Sequence, residues 1–381
     1  MNSRLCAKLG IEFPLFAFSH CRNVVVEVSK AGGFGVLGAV GLTPENLEQE
    51  LNWIDKNIDG KPYGIDLLIP NRMDHKNENS QTSDDLKALI PNEYYNFVDN
   101  ILEAHDLETN DLWSGKYGID YTHNMREAGA NQLLEVAFRH PITLFVNALG
   151  VPPKSVIKRC RDKNIIVGAL TGAREHAVKH AAAGVDILVV SGTEAGGHCG
   201  EISTMVVVPD VIEAVKSNED IFVLAAGGIA TGGQMAACMA MGAAGVWCGS
   251  VWLTTPEAET TPTVKKKMLE ANARNTVRSR SRTGKPTRQL QSAWTDAWAS
   301  PNALQPLEMP LQGVLSRPAM DKIDRKASLG HEGAAALSTY YVGQAVGLMN
   351  KEKSVKTIVY EFMEDYGEAV CLLYTSPSPR D

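Results

Sequence analysis

Short apolar runs separated by amphipathic, helix-forming stretches recur along most of the chain. They are Phe13 to Phe18 (FPLFAF), Gly33 to Val40 (GFGVLGAV), Tyr63 to Pro70 (YGIDLLIP), Thr143 to Leu149 (TLFVNAL), Ile165 to Leu170 (IIVGAL) and Asp186 to Ser191 (DILVVS). IFVLAAGGI (residues 221–229) and GVWCGSVWL (residues 245–253) complete eight. Apolar residues on both parities of a short run describe strands buried on both faces. Helical patterns follow at Asn23 to Ala31 and after Thr43-Pro44-Glu45, where Thr43 is the expected N-cap and proline suits the first turn. Others are at Asn124 to Arg139, Pro153 to Lys163, Gly172 to Ala183, Val208 to Ser217 and Thr231 to Met241. Eight strand-helix repeats predict an α/β protein, a closed (β/α)8 TIM barrel over residues 1–260.

Two stretches interrupt this rhythm. A polar loop and helical patterns, at about 71–122, are inserted directly after strand three, where such insertions build lids or substrate walls. Residues 261–370 are expected to form a C-terminal helical or lid extension, with helices at Thr260 to Arg274, Ala334 to Leu348 and Ser354 to Tyr366. Between the first two of these, the basic stretch Arg274 to Arg288 reads as a solvated loop in preference to an anion-binding arm. Trp294 and Trp298 are spaced to share one helix face and are expected to pack in a core or lid. Residues 371–381 are expected to be disordered, and LYTSPSPRD resembles translated adapter sequence.

Composition narrows the class of function. With 381 residues, 44% hydrophobic, the chain can fill a large core, and a formal net charge of -7 gives no electrostatic reason to expect nucleic acid or an anionic membrane. No apolar stretch is long enough to span a bilayer, and Met1 to Gly10 lacks a signal-peptide core. The seven cysteines are scattered without a C-x-x-C pair or a disulfide framework, which fits reduced thiols and a cytoplasmic location. The expected partner is a small molecule, and a homo-oligomer is compatible with all of this.

Candidate chemistry concentrates at strand ends. Strand six empties into SGTEAGGHCG, where Gly196-Gly197 lets a flat ring or an anion approach the backbone and His198 projects as an acid, base or donor. Strand seven ends in Ala226-Gly227-Gly228-Ile229 and leads through Thr231 into a helix; strand eight carries Trp247-Cys248-Gly249-Ser250. Barrels commonly hold a phosphate with these two loops, and backbone N–H groups plus the Ser250 hydroxyl can coordinate a dianion without lysine. Ala17 and Phe18 at the end of strand one, with Asp66 on strand three, add a surface for a flat ligand. A phosphorylated planar cofactor, FMN, is the natural candidate, since no strand-turn G-x-G-x-x-G points to a dinucleotide.

Other constellations rank lower. His176 and His180 lie one helical turn apart but lack a third ligand, so a solvated helix face is expected and no metal. Cys199 beside His198 has no orienting third group for nucleophilic catalysis.

FPLF near the start, SGTEAGGH after strand six, LAAGGIATGGQ after strand seven and GAAGVWCGS at strand eight together resemble the nitronate monooxygenase family, formerly called 2-nitropropane dioxygenases. The likeness runs from Leu9 to about Ser250, with weaker echoes in SRTGKPTRQL and YYVGQAVG. It implies an FMN-dependent TIM-barrel oxidoreductase that oxidises alkyl nitronates, such as propionate 3-nitronate, or nitroalkanes with molecular oxygen. It further implies that His198 is the active-site histidine, that Gly196 and Gly228 approach the flavin and that Trp247 to Ser250 bind its phosphate. Ser191, Asp66 and Trp247 depart from the residues usual there, which are glutamine, asparagine and glutamine. The glycine-histidine motif also occurs in flavin enoyl-acyl carrier protein reductases, so a flavin-dependent NAD(P)H oxidoreductase of enoyl or quinone reductase type is an alternative. A non-redox phosphate-binding isomerase or lyase is a second.

Overall fold

The computed structural model describes residues 3–69, 83–117, 124 and 127–375. A short helix α1 (Arg4–Leu9) precedes the first strand, and its Leu5, Cys6 and Leu9 plug the barrel floor. There follow β1 (Leu15–Ser19), α2 (Arg22–Lys30), β2 (Phe34–Gly38), α3 (Pro44–Asn57) and β3 (Tyr63–Leu67). The Thr43 hydroxyl accepts from Asn46 N at 3.2 Å, as its position before Pro44 predicts. Next come α4 (Ser83–Ala88), α5 (Asn92–Glu103), α6 (Glu127–Ala137), β4 (Leu144–Asn147), α7 (Lys154–Asp162), β5 (Ile166–Thr171), α8 (Arg174–Ala183) and β6 (Ile187–Ser191). A two-residue strand β7 (Gly197–His198) stands outside the barrel. Then α9 (Thr204–Val215), β8 (Phe222–Ala226), α10 (Gly232–Ala240) and β9 (Gly245–Cys248) finish it.

The eight parallel strands close in the order β1-β2-β3-β4-β5-β6-β8-β9, with β9 returning to β1. All eight runs read from the hydrophobic pattern are barrel strands. Alternation along each strand sorts the core into two layers. Phe16, Phe34, Val146, Val189 and Leu224 fill the interior, while Leu15, Ala17, Ile65 and Leu188 face the helices. Gly249 ends β9 earlier than the apolar run GVWCGSVWL suggests, and residues 250–252 form a 3-10 turn.

The rest of the chain builds over the barrel mouth. It comprises α11 (Pro262–Glu270), β10 (Thr276–Ser279), β11 (Thr287–Leu290), α12 (Ala293–Ala299), α13 (Leu311–Ser328), α14 (Glu332–Leu337) and α15 (Val355–Thr375). Val98 and Ile101 of α5 pack with Trp294 and Trp298 of α12, with Leu315 and Ile323 of α13, and with Leu337 of α14 in a second core. The insertion and the extension thus cover each other's apolar faces. In contrast, α15 returns to the barrel, burying Val359 and Phe362 among the strand-helix layer. The expected helix Ala334 to Leu348 is broken: α14 ends at Leu337, residues 338–343 run extended, and a 3-10 turn covers Gln344–Leu348. The polar loop expected after strand three lies largely outside the described residues. Of the tail expected to be disordered from 371 onward, residues 371–375 instead continue α15, and residues 376–381 lie outside the described residues.

The basic stretch departs from the solvated loop expected of it. β10 and β11 form an antiparallel hairpin that adds β7 as its third strand, pairing Thr287 with His198 and Arg288 with Gly197. Thr283, Thr287, Arg288 and Gln289 are buried. Their partner strand lies far away in the sequence, so the pairing is set by tertiary packing and no local period announces it.

Candidate active site

A cavity of about 1710 Å³ opens at the C-terminal rim of the barrel and runs beneath the α5 and α13 cover. Binding pockets for small molecules commonly measure ~300–1,000 Å³, so this one has room for a cofactor and a substrate together. Phe18, Asp66, Ser191, Gly196, Gly197, His198, Gly227, Gly228, Trp247, Cys248, Gly249 and Ser250 all line it. Ala17 does not. Its neighbours in β1, Phe16 and Phe18, turn inward, so alternation carries the Ala17 methyl into the helix-facing layer.

His198 sits on β7 and is exposed to the cavity. Its Nε2 lies 3.0 Å from Thr283 Oγ1, and that hydroxyl donates to the Lys285 carbonyl at 3.1 Å. With its single proton engaged, Thr283 can only accept, so His198 carries its proton on Nε2 and leaves Nδ1 bare. Burial, followed by the nearby Lys285 ammonium, pushes the imidazole below its ordinary value. A neutral ring with a defined tautomer results.

The loop bearing His198 is held from three sides. Arg288 Nε donates to Thr193 O at 2.8 Å, and Gln344 N to Glu194 O at 2.9 Å. The Glu194 carboxylate accepts from Thr204 N at 2.9 Å, capping the start of α9. Gly196 packs directly against the Val342–Gly343 backbone, and the segment before it runs extended because Tyr341 bridges Gln289 of β11 and the Tyr340 carbonyl accepts from Leu290 N.

The loops after β8 and β9 face the same space. Gly228 has φ 74, and a Cβ there would lie 2.9 Å from Glu194 Cβ, so glycine is required by both conformation and approach. Gln234, in the first turn of α10, accepts from Ala230 N at 2.8 Å and donates to Gly228 O at 2.7 Å, fixing the turn as part of a capping box with Thr231. Among the described residues, the backbone N–H groups of Gly228, Ile229, Gly249 and Ser250 have no acceptor. Ser250 Oγ accepts from Gly343 N at 2.8 Å, leaving its own proton to donate. Unpaired donors on two adjacent loops are the chemistry an anion requires. The Trp247 side chain is not part of this set: its indole packs among interior aromatics, 6.2 Å from the Phe16 ring and 6.0 Å from Phe18. The Cys248 thiol is buried in the helix-facing layer.

Asp66 completes the opposite wall. It is 3% exposed, its carboxyl has no hydrogen-bond partner among the described residues, and burial pushes it well above the ordinary carboxylate range. The shift favours the protonated carboxyl, which can donate as well as accept. Gln234, Thr283 and Gly343 were missing from the sequence-derived site; Gln234 and Gly343 work through backbone groups and Thr283 through its hydroxyl on His198, contacts that only the folded loops create.

Among the described residues, no group of three or more His, Cys, Asp or Glu is placed to hold a metal. His176 reaches the cavity wall, but His180 corrects the expectation of a solvated helix face: it is buried, with Nε2 3.2 Å from Leu170 O. Cys199 is half-buried on the cavity wall and in no disulfide. Trp294 and Trp298 are core residues, their rings 5.9 Å apart.

The family model for nitronate monooxygenase matches residues 2–365. The chain belongs to the nitronate monooxygenase family. It is an oxidoreductase by that membership. A Mycobacterium tuberculosis protein with the provisional name monooxygenase Rv1533 is 46% identical over 370 residues, covering 97% of this chain and 98% of that one. A "Probable nitronate monooxygenase" of Staphylococcus saprophyticus is 28% identical over 316 residues, 77% of this chain and 79% of the relative. Among solved structures, a nitroalkane oxidase from Streptomyces ansochromogenes superposes with a TM-score of 0.78 at 25% identity, covering 97% and 99% of the two chains. FabK from Thermotoga maritima shares the fold, with a TM-score of 0.71 at 24% identity over 98% and 99%.

Proposed function

We propose that this nitronate monooxygenase family member binds one FMN and oxidises small alkyl nitronates with molecular oxygen. The observation that carries this reading is the pairing of a tautomer-defined His198 with unpaired N–H donors on the adjacent loops of the same cavity. The Gly228, Ile229, Gly249 and Ser250 N–H groups and the Ser250 hydroxyl would hold the phosphate. Ser191 and Asp66 would meet the planar part, with Asp66 as a neutral donor or acceptor. Bound FMN would supply the redox chemistry, moving electrons from substrate to oxygen.

His198 and Lys285 prepare the site for an anion. A nitronate beside the ring favours the imidazolium, whose Nδ1–H then donates to a nitronate oxygen while Nε2–H stays on Thr283. Lys285, exposed on the cavity wall, adds a second positive charge. The cover built from α5 and α13 would wall the substrate side of the same cavity. Incubation with propionate 3-nitronate under air tests the reading: oxygen uptake with nitrite release supports it, and neither would refute it.

A further inference from the structure

The strands turn a single ionisable side chain into the barrel. Ile65 and Leu67 of β3 face the helices, so alternation points Asp66 between them inward. The other inward positions of the eight strands, among them Phe16, Phe18, Val146 and Trp247, are apolar or glycine, except for the hydroxyl of Ser191. In register, Asp66 stands between Gly38 of β2 and Val146 of β4, neither of which carries a charge.

This carboxyl is buried, lines the cavity and has no hydrogen bond or ion pair among the described residues. Asn147, one strand away and equally buried, is the contrast. Its Oδ1 accepts from Ile69 N at 2.8 Å, and its Nδ2 donates to Leu149 O at 2.9 Å and Gly150 O at 3.1 Å. Buried polar groups are ordinarily satisfied in this way. Asp66 is left unsatisfied by the protein at a position where its neighbours are apolar.

A bare carboxylate without a cation or a donor is too costly to keep in such a layer, so the acid form is the one that burial favours. An acid with no protein acceptor directs its one donor to whatever occupies the cavity. Asp66 shares the cavity wall with Phe18, Val189, Ala226 and Trp247, an apolar surface open to a planar ring.

We propose that Asp66 tunes the cofactor: its carboxyl donates a hydrogen bond to the flavin ring and favours the reduced ring over the oxidised one. This rests on the FMN reading above. No proton leaves Asp66 in this role. The electrons come from the substrate, the ring gains negative charge as it takes them up, and a hydrogen bond to a charged acceptor is stronger than one to a neutral acceptor. An ionised carboxylate at the same place would act in the opposite direction, by repulsion.

Photoreduction of the FMN-loaded protein against an indicator dye reads the midpoint potential with no nitronate present. Asp66→Leu, which removes the donor, should lose about tenfold in its preference for reduced FMN, the scale of one hydrogen bond to a charged group, which moves the two-electron midpoint about 30 mV more negative. Asp66→Asn keeps a donor on an amide that cannot ionise and should restore most of the wild-type value. The reduced-minus-oxidised infrared difference spectrum of the wild-type protein should contain a protonated-carboxyl band that Asp66→Asn lacks, a comparison that stands even if Asp66→Leu fails to hold FMN. A wild-type midpoint in FMN-loaded Asp66→Leu would overturn the proposal, as would a shift in Asp66→Asn as large as that in Asp66→Leu, or a wild-type spectrum without that band. Protein that takes up no FMN would overturn it together with the cofactor reading. Protein that shows the shift and the band yet oxidises no nitronate would retain the tuning acid and refute the oxidation.

Discussion

The Thr283 hydroxyl accepts from His198 Nε2 at 3.0 Å while giving its own proton to the Lys285 carbonyl, so a residue 85 positions along the chain decides which nitrogen of the histidine is bare. Thr283→Val removes that acceptor and frees the ring to rotate. FMN content should stay at the wild-type level while kcat/KM for a nitronate falls about 10- to 100-fold, the scale of a misplaced reacting group. Steady-state kinetics with a flavin assay check it; unchanged kinetics would make the contact structural only.

His198→Asn should retain FMN and lose about 10² to 10⁴ in turnover, because the donors for a phosphate lie on other loops. The pH profile carries a sign. His198 is depressed below its ordinary value, and the groups facing it are Lys285, which disfavours protonation, and the neutral Thr283. A nitronate binds best to the protonated ring, so kcat/KM should fall as pH rises from about 5 to 8, with a midpoint under the ordinary histidine value of about 6.5. His198→Asn should flatten that fall. A wild-type profile that rises with pH for a preformed nitronate would oppose this role.

Gly228→Val acts on the cofactor side. Its φ of 74 and the Glu194 Cβ at 2.9 Å oppose any branched residue, with backbone strain of order 1–3 kcal/mol. FMN occupancy after gel filtration should drop before the loaded fraction loses its kcat. Full occupancy would mean that the turn after β8 does not meet the cofactor.

The barrel was legible because each strand is locally apolar and each helix locally amphipathic; Phe222–Ala226 and Gly232–Ala240 could be read with no knowledge of their neighbours. His198, Gly228 and Ser250 were legible because glycines cluster where strands end. Thr283, Arg288 and Gly343 were not, since their parts come from β7, β11 and the segment before Gln344 meeting in space. The charge of Arg274 to Arg288 masked a strand pattern. Strand alternation, not legible in the glycine pattern, turns the Ala17 side chain toward the helices and away from the cavity.

The cover over the site depends on the second core. Trp298→Ala removes a ring 4.8 Å from Phe97 that joins α12 to the insertion, at a cost of about 3–5 kcal/mol. Thermal unfolding should show a lower midpoint, and nitronate KM should rise as the cover loosens. A wild-type melting profile would contradict this account of the cover.

Anaerobic mixing tests the central claim most directly. The purified protein should be yellow with one FMN per chain, should lose its visible absorbance on mixing with propionate 3-nitronate, and should recover it when air is admitted. Colourless protein that takes up no added FMN would contradict the account, as would flavin that NADH or NADPH bleaches quickly and the nitronate does not.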